Sequence, residues 1–416
     1  MKIVVACYRS RGAITPNAAV ARELLRRGHE VRMAVPPNQV GFVESLGLNG
    51  VAYGPDMQAK MVELRNLKDS RNPRRIQNLL RSRREFWAGY AQGWQDVSAT
   101  LTSLADGADL LFTTLSFEQA AANVAEYYGI PLVTLHYFPA RVNGHMIPGL
   151  PEPLGRNGMT VQEWLNWRLL FRKIEDAQRR ELGLPKATGP APRRITERGS
   201  LEIQAYEEFC FPGLAAEWAQ WKDQRPFVGA LTMELPTDAD DEVASWIAAG
   251  TPPIFFSFGS TPVASAADTL AMIAGACAEL GERALVCTGW SDFTHVPHFD
   301  HVKVVDTVNY AAIFPACRAL VHHGGAGTTA IGLRAGVPTL ILWALADQPR
   351  WGAAIKRLKV GSSRRFSSTT EKSLIADLRT ILAPQYLDRA RGLATRMTKP
   401  AESISEAADL VESSAS

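Results

Sequence analysis

The densest chemical signal in the sequence is the run His322-His323-Gly324-Gly325-Ala326-Gly327-Thr328-Thr329. It follows Arg318-Ala319-Leu320-Val321, which reads as the end of a strand. It precedes a helical pattern from about Thr328 to Arg334 that Gly336 and Pro338 terminate. Glycines at such a turn let the backbone approach an anion closely. The helix beyond it offers N–H groups with no intrahelical acceptor and the positive end of its dipole. Thr328 and Thr329 add hydroxyl donors, and His323 can donate to a diphosphate oxygen and stabilise charge as a phosphate departs. The loop is not G-x-G-x-x-G, and it lacks the Gly-Lys-Ser/Thr of a P-loop. Hydride transfer and NTP hydrolysis therefore lose ground. The bland alternative is a glycine-rich turn with two packed histidines.

A loop of this kind needs parallel strands to hold it, and the sequence supplies them twice. Ile3 to Tyr8 is an apolar, β-branched run with the pattern of a buried parallel strand. Arg9-Ser10-Arg11-Gly12 reads as a turn. Thr15 is placed to cap a helix that opens at Pro16, carries Ala19, Val20, Leu24 and Leu25 at helical spacing, and ends at Gly28. Glu30 to Val35 completes a βαβ unit, the start of an α/β, doubly wound domain. Leu110 to Thr113 and Pro131 to His136 read as further strands, with a helix from Phe117 to Tyr128 between them. Lys60 to Tyr90 is basic and helical in pattern, and Val161 to Leu182 reads as one helix. Turn residues cluster from Phe211 to Asp241. A second set of strands follows at Ile254–Phe258, Arg283–Cys287, Val302–Val305, Ala319–His322 and Thr339–Trp343. The expected organisation is a domain over 1–220, a linker over 221–240, a second domain over 241–400 and a helical tail over 401–416.

Composition agrees. A chain of 416 residues is too long for one ordinary core and fits two domains of about 200 residues each. The 45 basic and 42 acidic residues nearly cancel, so no nucleic-acid partner is implied. Cys7, Cys210, Cys277, Cys287 and Cys317 are odd in number and widely spaced, which reads as buried free thiols in a reducing cytoplasm. No apolar run is long enough to span a membrane.

His322-His323-Gly324-Gly325-Ala326-Gly327-Thr328-Thr329, Ala335-Gly336-Val337-Pro338 and Asp347-Gln348 together resemble the donor-binding region of GT-B glycosyltransferases of family 1. Those acting on glycopeptide antibiotics and on actinobacterial cell-envelope glycolipids are the most similar. The Ser10-Arg11-Gly12 turn and the Phe258-Gly259-Ser260 loop match as well, and the resemblance covers nearly the whole chain. It implies two Rossmann-like domains facing a cleft, the C-terminal one for a nucleoside-diphosphate sugar and the N-terminal one for the acceptor. It assigns the diphosphate to His323 and to the backbone of Gly324, Gly325, Ala326, Gly327 and Thr328, with Ser260 on the same phosphates. It assigns sugar hydroxyls to Asp347 and Gln348, the base pocket to the main chain of Val308, and a border of the donor to Trp290. Ser10, Arg11 and Gly12 would face the donor from the other domain. Asp347 and Gln348 also lie just past the strand Thr339–Trp343, and ligands of open α/β sheets bind outside the carboxyl ends of strands. No cofactor is implied; the nucleotide sugar is a co-substrate.

One position departs from the family pattern, Ser-Arg-Gly-Asp, whose Asp is the general base. Here Ala13 follows Gly12, and alanine accepts no proton. General-base help is worth about 10²–10⁴ in rate. His136, at the end of a strand, is the first candidate replacement and His145 the second. Asp238-Ala239-Asp240 matches the D-x-D manganese motif of another glycosyltransferase fold but sits in a charged stretch and reads as solvated, so no metal is expected. Between Arg65 and Arg84 eight residues are basic and one, Asp69, is acidic, with Phe86, Trp87, Trp94, Trp164 and Trp167 nearby. That composition fits a solvated basic helix, or a peripheral contact with the inner face of the plasma membrane. The reading is an inverting, metal-independent transfer of a hexosyl group, a 6-deoxyhexosyl such as rhamnosyl included, to a glycolipid or glycopeptidolipid. A GT-B sugar-nucleotide epimerase or hydrolase, and a silent donor-binding partner, stay open as alternatives.

Overall fold

The computed structural model describes residues 1–56, 91–146, 150–259, 263, 265–289, 291, 296–344 and 347–415. Ser260, Trp290, Phe86, Trp87 and the basic stretch 65–84 lie outside the described residues. Within them the chain divides into two compact units. One comprises Met1–Ala205, Pro212–Val228 and Ala401–Ser416; the other comprises Tyr206–Phe211 and Gly229–Pro400. The last helix therefore belongs to the first unit.

The first unit is built on β1 (Lys2–Ala6), β2 (Glu30–Val35), β3 (Asn49–Ala52), β4 (Leu110–Thr114), β5 (Leu132–His136) and β6 (Leu201–Gln204), in the order β3-β2-β1-β4-β5-β6. The second uses β7 (Ile254–Ser257), β8 (Ala284–Cys287), β9 (Val302–Val305), β10 (Ala319–His322), β11 (Thr339–Trp343) and β12 (Gly361–Arg365), in the order β12-β11-β10-β7-β8-β9. All pairings between named strands are parallel. The two orders are the same doubly wound arrangement, each reversing direction beside its own first strand. Central strands are sealed on both faces: Leu110 to Thr114 and Leu132 to His136 are buried throughout. The sequence pattern misses β3, β6 and β12. Their residues, NGVA, LEIQ and GSSRR, carry too little apolar signal, and β3, β6 and β12 are all edge strands.

Several element boundaries differ from expectation. Helix α1 (Arg11–Arg26) begins at the expected turn, with Ser10 at its cap and Pro16 inside it. The Ser10 carbonyl accepts from both Ala13 and Ile14, which starts the helix early. Thr15 Oγ1 donates to the Arg11 carbonyl instead of capping. Helix α2 (Glu118–Tyr128) follows Phe117, a non-glycine residue at φ 58°. The expected helix over 161–182 is α3 (Glu152–Asn166), a π turn over Trp167–Phe171, and α4 (Arg172–Glu181). The π turn rotates Trp167 inward, where its Nε1 donates to Glu175 Oε2 at 2.7 Å. Further along are α5 (Ala191–Glu197), α6 (Asp240–Ala248), α7 (Ala266–Leu280), α8 (Ala326–Ala335), α9 (Gln348–Leu358) and α10 (Pro400–Ser414). Residues Ala407, Ala408 and Val411 of α10 are buried, and Arg27 beyond α1 donates to Asp409 at 2.5 Å and Glu412 at 2.6 Å.

A buried charge cluster ties the carboxyl edge of the first sheet together. Arg141, 3% exposed, donates to Glu118 at 2.7 and 2.9 Å and also to Glu202. Thr196 Oγ1 donates to Glu202 at 2.8 Å. Burial alone would raise the Glu118 pKa, but the charge of Arg141 and hydrogen bonds from His136 and Arg141 outweigh it and hold the carboxyl down at about 2. Removing the guanidinium leaves buried Glu118 without its arginine and Glu202, among the described residues, with only the arginine Arg225, 3.4 Å away. Arg141→Leu is expected to cost about 3–5 kcal/mol in equilibrium urea unfolding; an unchanged midpoint would show that the cluster contributes nothing to stability.

Candidate functional site

In the second unit the strand order reverses between β7 and β10, and the loops leaving their carboxyl ends carry the glycine-rich run. Ligands of open α/β sheets bind at such a switch point. Helix α8 opens at Ala326, earlier than the sequence pattern indicated, with Gly325 extended at its cap and no capping side chain. The Gly325 carbonyl accepts the Thr329 N–H at 2.9 Å and the Thr329 hydroxyl at 2.9 Å. Thr329 is therefore spent inside the helix and is not a donor for an anion, contrary to expectation. The N–H groups of Ala326, Gly327 and Thr328 have no acceptor within the helix.

His323 is wedged beside this helix end. A side chain at Gly259, on the loop after β7, would lie 2.5 Å from His323 Cε1, and one at Gly325 would lie 2.7 Å from its Nε2. Gly259 in turn is pressed by Gly289 after β8, whose Cβ would stand 2.2 Å from the Gly259 carbonyl. Three glycines thus make room for one imidazole. Gly259 and Gly289 were not singled out for this role from the sequence, since only the approach of neighbouring loops reveals it. Burial pushes the His323 pKa down to about 4, against a hydrogen bond with the Ser257 backbone, so the ring is neutral at pH 7. Its Nδ1 has no hydrogen-bond partner among the described residues. His322, fully buried beside it, is pushed down to about 3 by burial and by His323.

The start of α9 touches the same loop. A Cβ on Gly324, which has φ +90°, would meet Ile341 Cγ2 at 2.7 Å and Gln348 Cβ at 3.3 Å. Gln348 Oε1 accepts the Ala344 N–H at 2.8 Å, so this amide braces the exit of β11. Asp347 is the helix cap residue but makes no side-chain cap bond. Val308 is 4% exposed, and its side chain packs with Val243, Ile247 and Phe314. Next to it the Asn309 N–H donates to Asp240 Oδ1 at 2.8 Å, and Asp240 also accepts from the Thr237 N–H and hydroxyl. Asp240 is therefore a brace between α6 and the loop after β9, not the solvated acid the sequence suggested. Among the described residues no group of three or more His, Cys, Asp or Glu is arranged to hold a metal ion.

In the first unit Ser10 is half-buried, while Arg11 and Gly12 are exposed at the opening of α1, with the Arg11 guanidinium 4.4 Å from the Phe42 ring centroid. His136 is fully buried. Its Nε2 lies 3.2 Å from Glu118 and 3.3 Å from Thr134 Oγ1, and its Nδ1 lies 3.3 Å from Gln204 Nε2. Burial and the nearby Arg141 lower its pKa. An imidazole enclosed on both nitrogens does not meet an acceptor hydroxyl, which removes the first candidate base.

His145 stands differently. Its side chain is 21% exposed; Nε2 lies 3.3 Å from Glu217 Oε2 and Nδ1 lies 3.7 Å from the exposed Glu152. The described part of the loop that carries it, up to residue 146, is anchored at several points. Trp218 Nε1 donates to the Val142 carbonyl, Asn143 Oδ1 accepts the His145 N–H, and the Gly144 N–H donates to both oxygens of Glu217. Gly144 packs so closely on Glu152 that a Cβ would lie 2.6 Å from its carbonyl, and a Cβ on Gly213 would strike the His145 ring at 2.5 Å. Glu217 falls in what the sequence reads as an interdomain boundary, and nothing there marks it. Among the described residues no helix is long and apolar enough to cross a membrane, and all five cysteines are buried and free.

Gly259→Ala should displace the His323 ring and weaken UDP or dTDP binding at least roughly tenfold by calorimetry with the fold retained. Unchanged affinity would mean the ring does not touch the ligand. The histidine pair also sets a pH dependence. Folded pKa values of about 3 and 4 lie below the ordinary 6.5, so the unfolded chain binds protons first. The stability linked to these rings is fully present above pH 6.5 and is lost as pH falls toward 4. Urea midpoints should drop between pH 7 and 5, and less so in His322→Asn.

A family model described as the C-terminal domain of erythromycin biosynthesis protein CIII-like proteins matches residues 272–411. An uncharacterized glycosyltransferase of Mycobacterium tuberculosis is 61% identical over 418 residues, spanning 100% of this chain and 99% of that protein. The crystal structure of the glycotransferase of kitacinnamycin superposes with a TM-score of 0.72 at 18% identity, over 99% of this chain and 98% of that one. Glycosyltransferase VinC, solved in complex with dTDP, superposes with a TM-score of 0.64 at 20% identity, over 99% of this chain and 100% of that one. With a relative this similar along its full length, and with two doubly wound sheets, the chain belongs to the GT-B glycosyltransferases of family 1.

Proposed function

We propose that the chain is an inverting, metal-independent hexosyltransferase. It takes the sugar from a nucleoside diphosphate held by the second unit and passes it to a hydroxyl of a glycolipid or glycopeptidolipid. The observation that carries this reading is the neutral His323, wedged between glycines at the uncapped end of α8. When the acceptor oxygen attacks the anomeric carbon from the far side, the C1–O bond to phosphate breaks and the diphosphate departs with the electron pair. Donors already fixed at that point stabilise the charge without reorganising. The dTDP found in VinC favours a dTDP sugar over a UDP sugar, and a 6-deoxyhexose such as rhamnose is the group we propose it carries. Asp347 and the amide nitrogen of Gln348, whose oxygen is taken by the Ala344 N–H, are the groups for the sugar hydroxyls.

The proton acceptor is His145, not His136. Glu217 orients the ring through Nε2 and leaves Nδ1 to take the hydroxyl proton, as a carboxylate does for other catalytic imidazoles. An apolar acceptor suits the surface nearby: Leu154, Val161, Trp164, Leu165 and Leu169, on α3 and the turn after it, are each between 38% and 72% exposed. The same surface suits a peripheral contact with the inner face of the plasma membrane, and we place the enzyme in the cytoplasm on that side.

Nucleotide release from dTDP-rhamnose and UDP-glucose, with and without a glycopeptidolipid acceptor, tests the reading. Release that requires acceptor and survives EDTA is expected. Release without acceptor would make the chain a hydrolase, and binding with no release a silent partner. His145→Gln is expected to lower kcat by about 10²–10⁴ with little change in donor KM; a wild-type kcat in that variant would return the base assignment to an unknown group.

A further inference from the structure

The loop that holds His323 has a second histidine that the reaction does not use. His322 is the last residue of β10, in register between Ser257 of β7 and Ile341 of β11, and is fully buried. Its Nδ1 lies 3.0 Å from the Gly324 nitrogen, and the contact is itself buried. A backbone N–H is always a donor, so Nδ1 must present its lone pair and the ring proton must sit on Nε2. That Nε2 has no hydrogen-bond partner among the described residues. An orphaned buried donor is a net cost to the fold. Packing alone would be served better by an apolar side chain of the same size, so the imidazole is retained for its acceptor.

What that acceptor fixes is the turn into the helix. Gly324 has φ +90°, a conformation almost closed to other residues, and Ile341 and Gln348 leave no room for a Cβ. Its N–H faces the protein interior, where water is not available to pair with it. We propose that His322 is a positioning residue of the diphosphate loop: as the neutral Nε2–H tautomer it accepts the Gly324 N–H and so sets the angle at which His323 and the free N–H groups of α8 are presented. The low pKa of the ring is consistent with this, since a protonated imidazole could not accept. The inference rests on the reading of this loop as the diphosphate site.

Side-chain geometry supplies the test. Asparagine carries its amide oxygen near the place of Nδ1; glutamine carries its oxygen near the place of Nε2; leucine carries none. Binding of dTDP and of UDP to the full chain would be measured by calorimetry for wild type, His322→Asn, His322→Gln and His322→Leu, with thermal melting as a control for folding. His322→Asn should bind close to wild type, while His322→Gln and His322→Leu should bind at least roughly tenfold more weakly though folded. Equal weakening in all three, or wild-type binding in His322→Leu, overturns the proposal. In parallel, long-range ¹H–¹⁵N correlation spectra of histidine-labelled protein report the tautomer directly. A proton on Nδ1 of His322 overturns the proposal even if nucleotides bind. Should wild type bind neither nucleotide, the donor reading fails, and the tautomer still decides whether His322 accepts from Gly324.

Discussion

The N–H groups of Ala326, Gly327 and Thr328 have no acceptor in their own helix, and much of the second unit is arranged around that deficit. A helix end without a capping side chain is ordinarily a cost. Here the cap residue is glycine, the flanking loops are glycine, and a neutral imidazole is lodged beside them. Nearby polar groups are spent on keeping this geometry. Thr329 closes back on Gly325, Gln348 braces the exit of β11, and His322 holds the backbone of Gly324. Such a concentration of tolerances on one helix terminus is what the proposed diphosphate-binding role would require, and an ordinary glycine-rich turn has no need of it.

The first unit handles charge in the opposite manner. One cluster of polar groups at its carboxyl edge is satisfied internally. Arg141 spans Glu118 and Glu202, His136 fills the gap between Glu118 and Gln204, and Thr196 completes Glu202. Such a cluster adds little net stability over an apolar core, but breaking it is costly, and it fixes the backbone that runs through it. The chain leaves Arg141 directly into Val142, Asn143, Gly144 and His145, each tied down in turn. Rigidity handed on in this way is what the base role proposed for His145 would require.

Much of this was legible in the sequence, and the reasons are physical. Buried parallel strands are continuous apolar runs, so β1, β4, β5, β7 and β10 stand out, as do the glycine loop and its helix. Edge strands such as GSSRR carry no such signal. Residues whose role depends on distant neighbours were unreadable: Gly259 matters because His323 presses on it, and Glu217 because a loop some seventy residues earlier returns to it. His136 misled for the same reason. Its place at a strand end is that of a catalytic residue, yet the partners that enclose it, Glu118, Gln204 and Arg141, lie on other elements. Thr328 and Thr329 look alike in sequence, and only the helix start at Ala326 turns the second one inward.

The path of the chain after Pro400 has a practical corollary. Because α10 completes the first unit, the second is inserted in that unit's sequence, as the short piece Tyr206–Phe211 and the main body Gly229–Pro400. A chimera that exchanges the main body of the second unit between relatives must therefore be cut at two junctions. A single crossover near residue 229 would graft a foreign terminal helix onto the native α1, pairing Arg27 and His29 with whatever replaces Asp409 and Glu412.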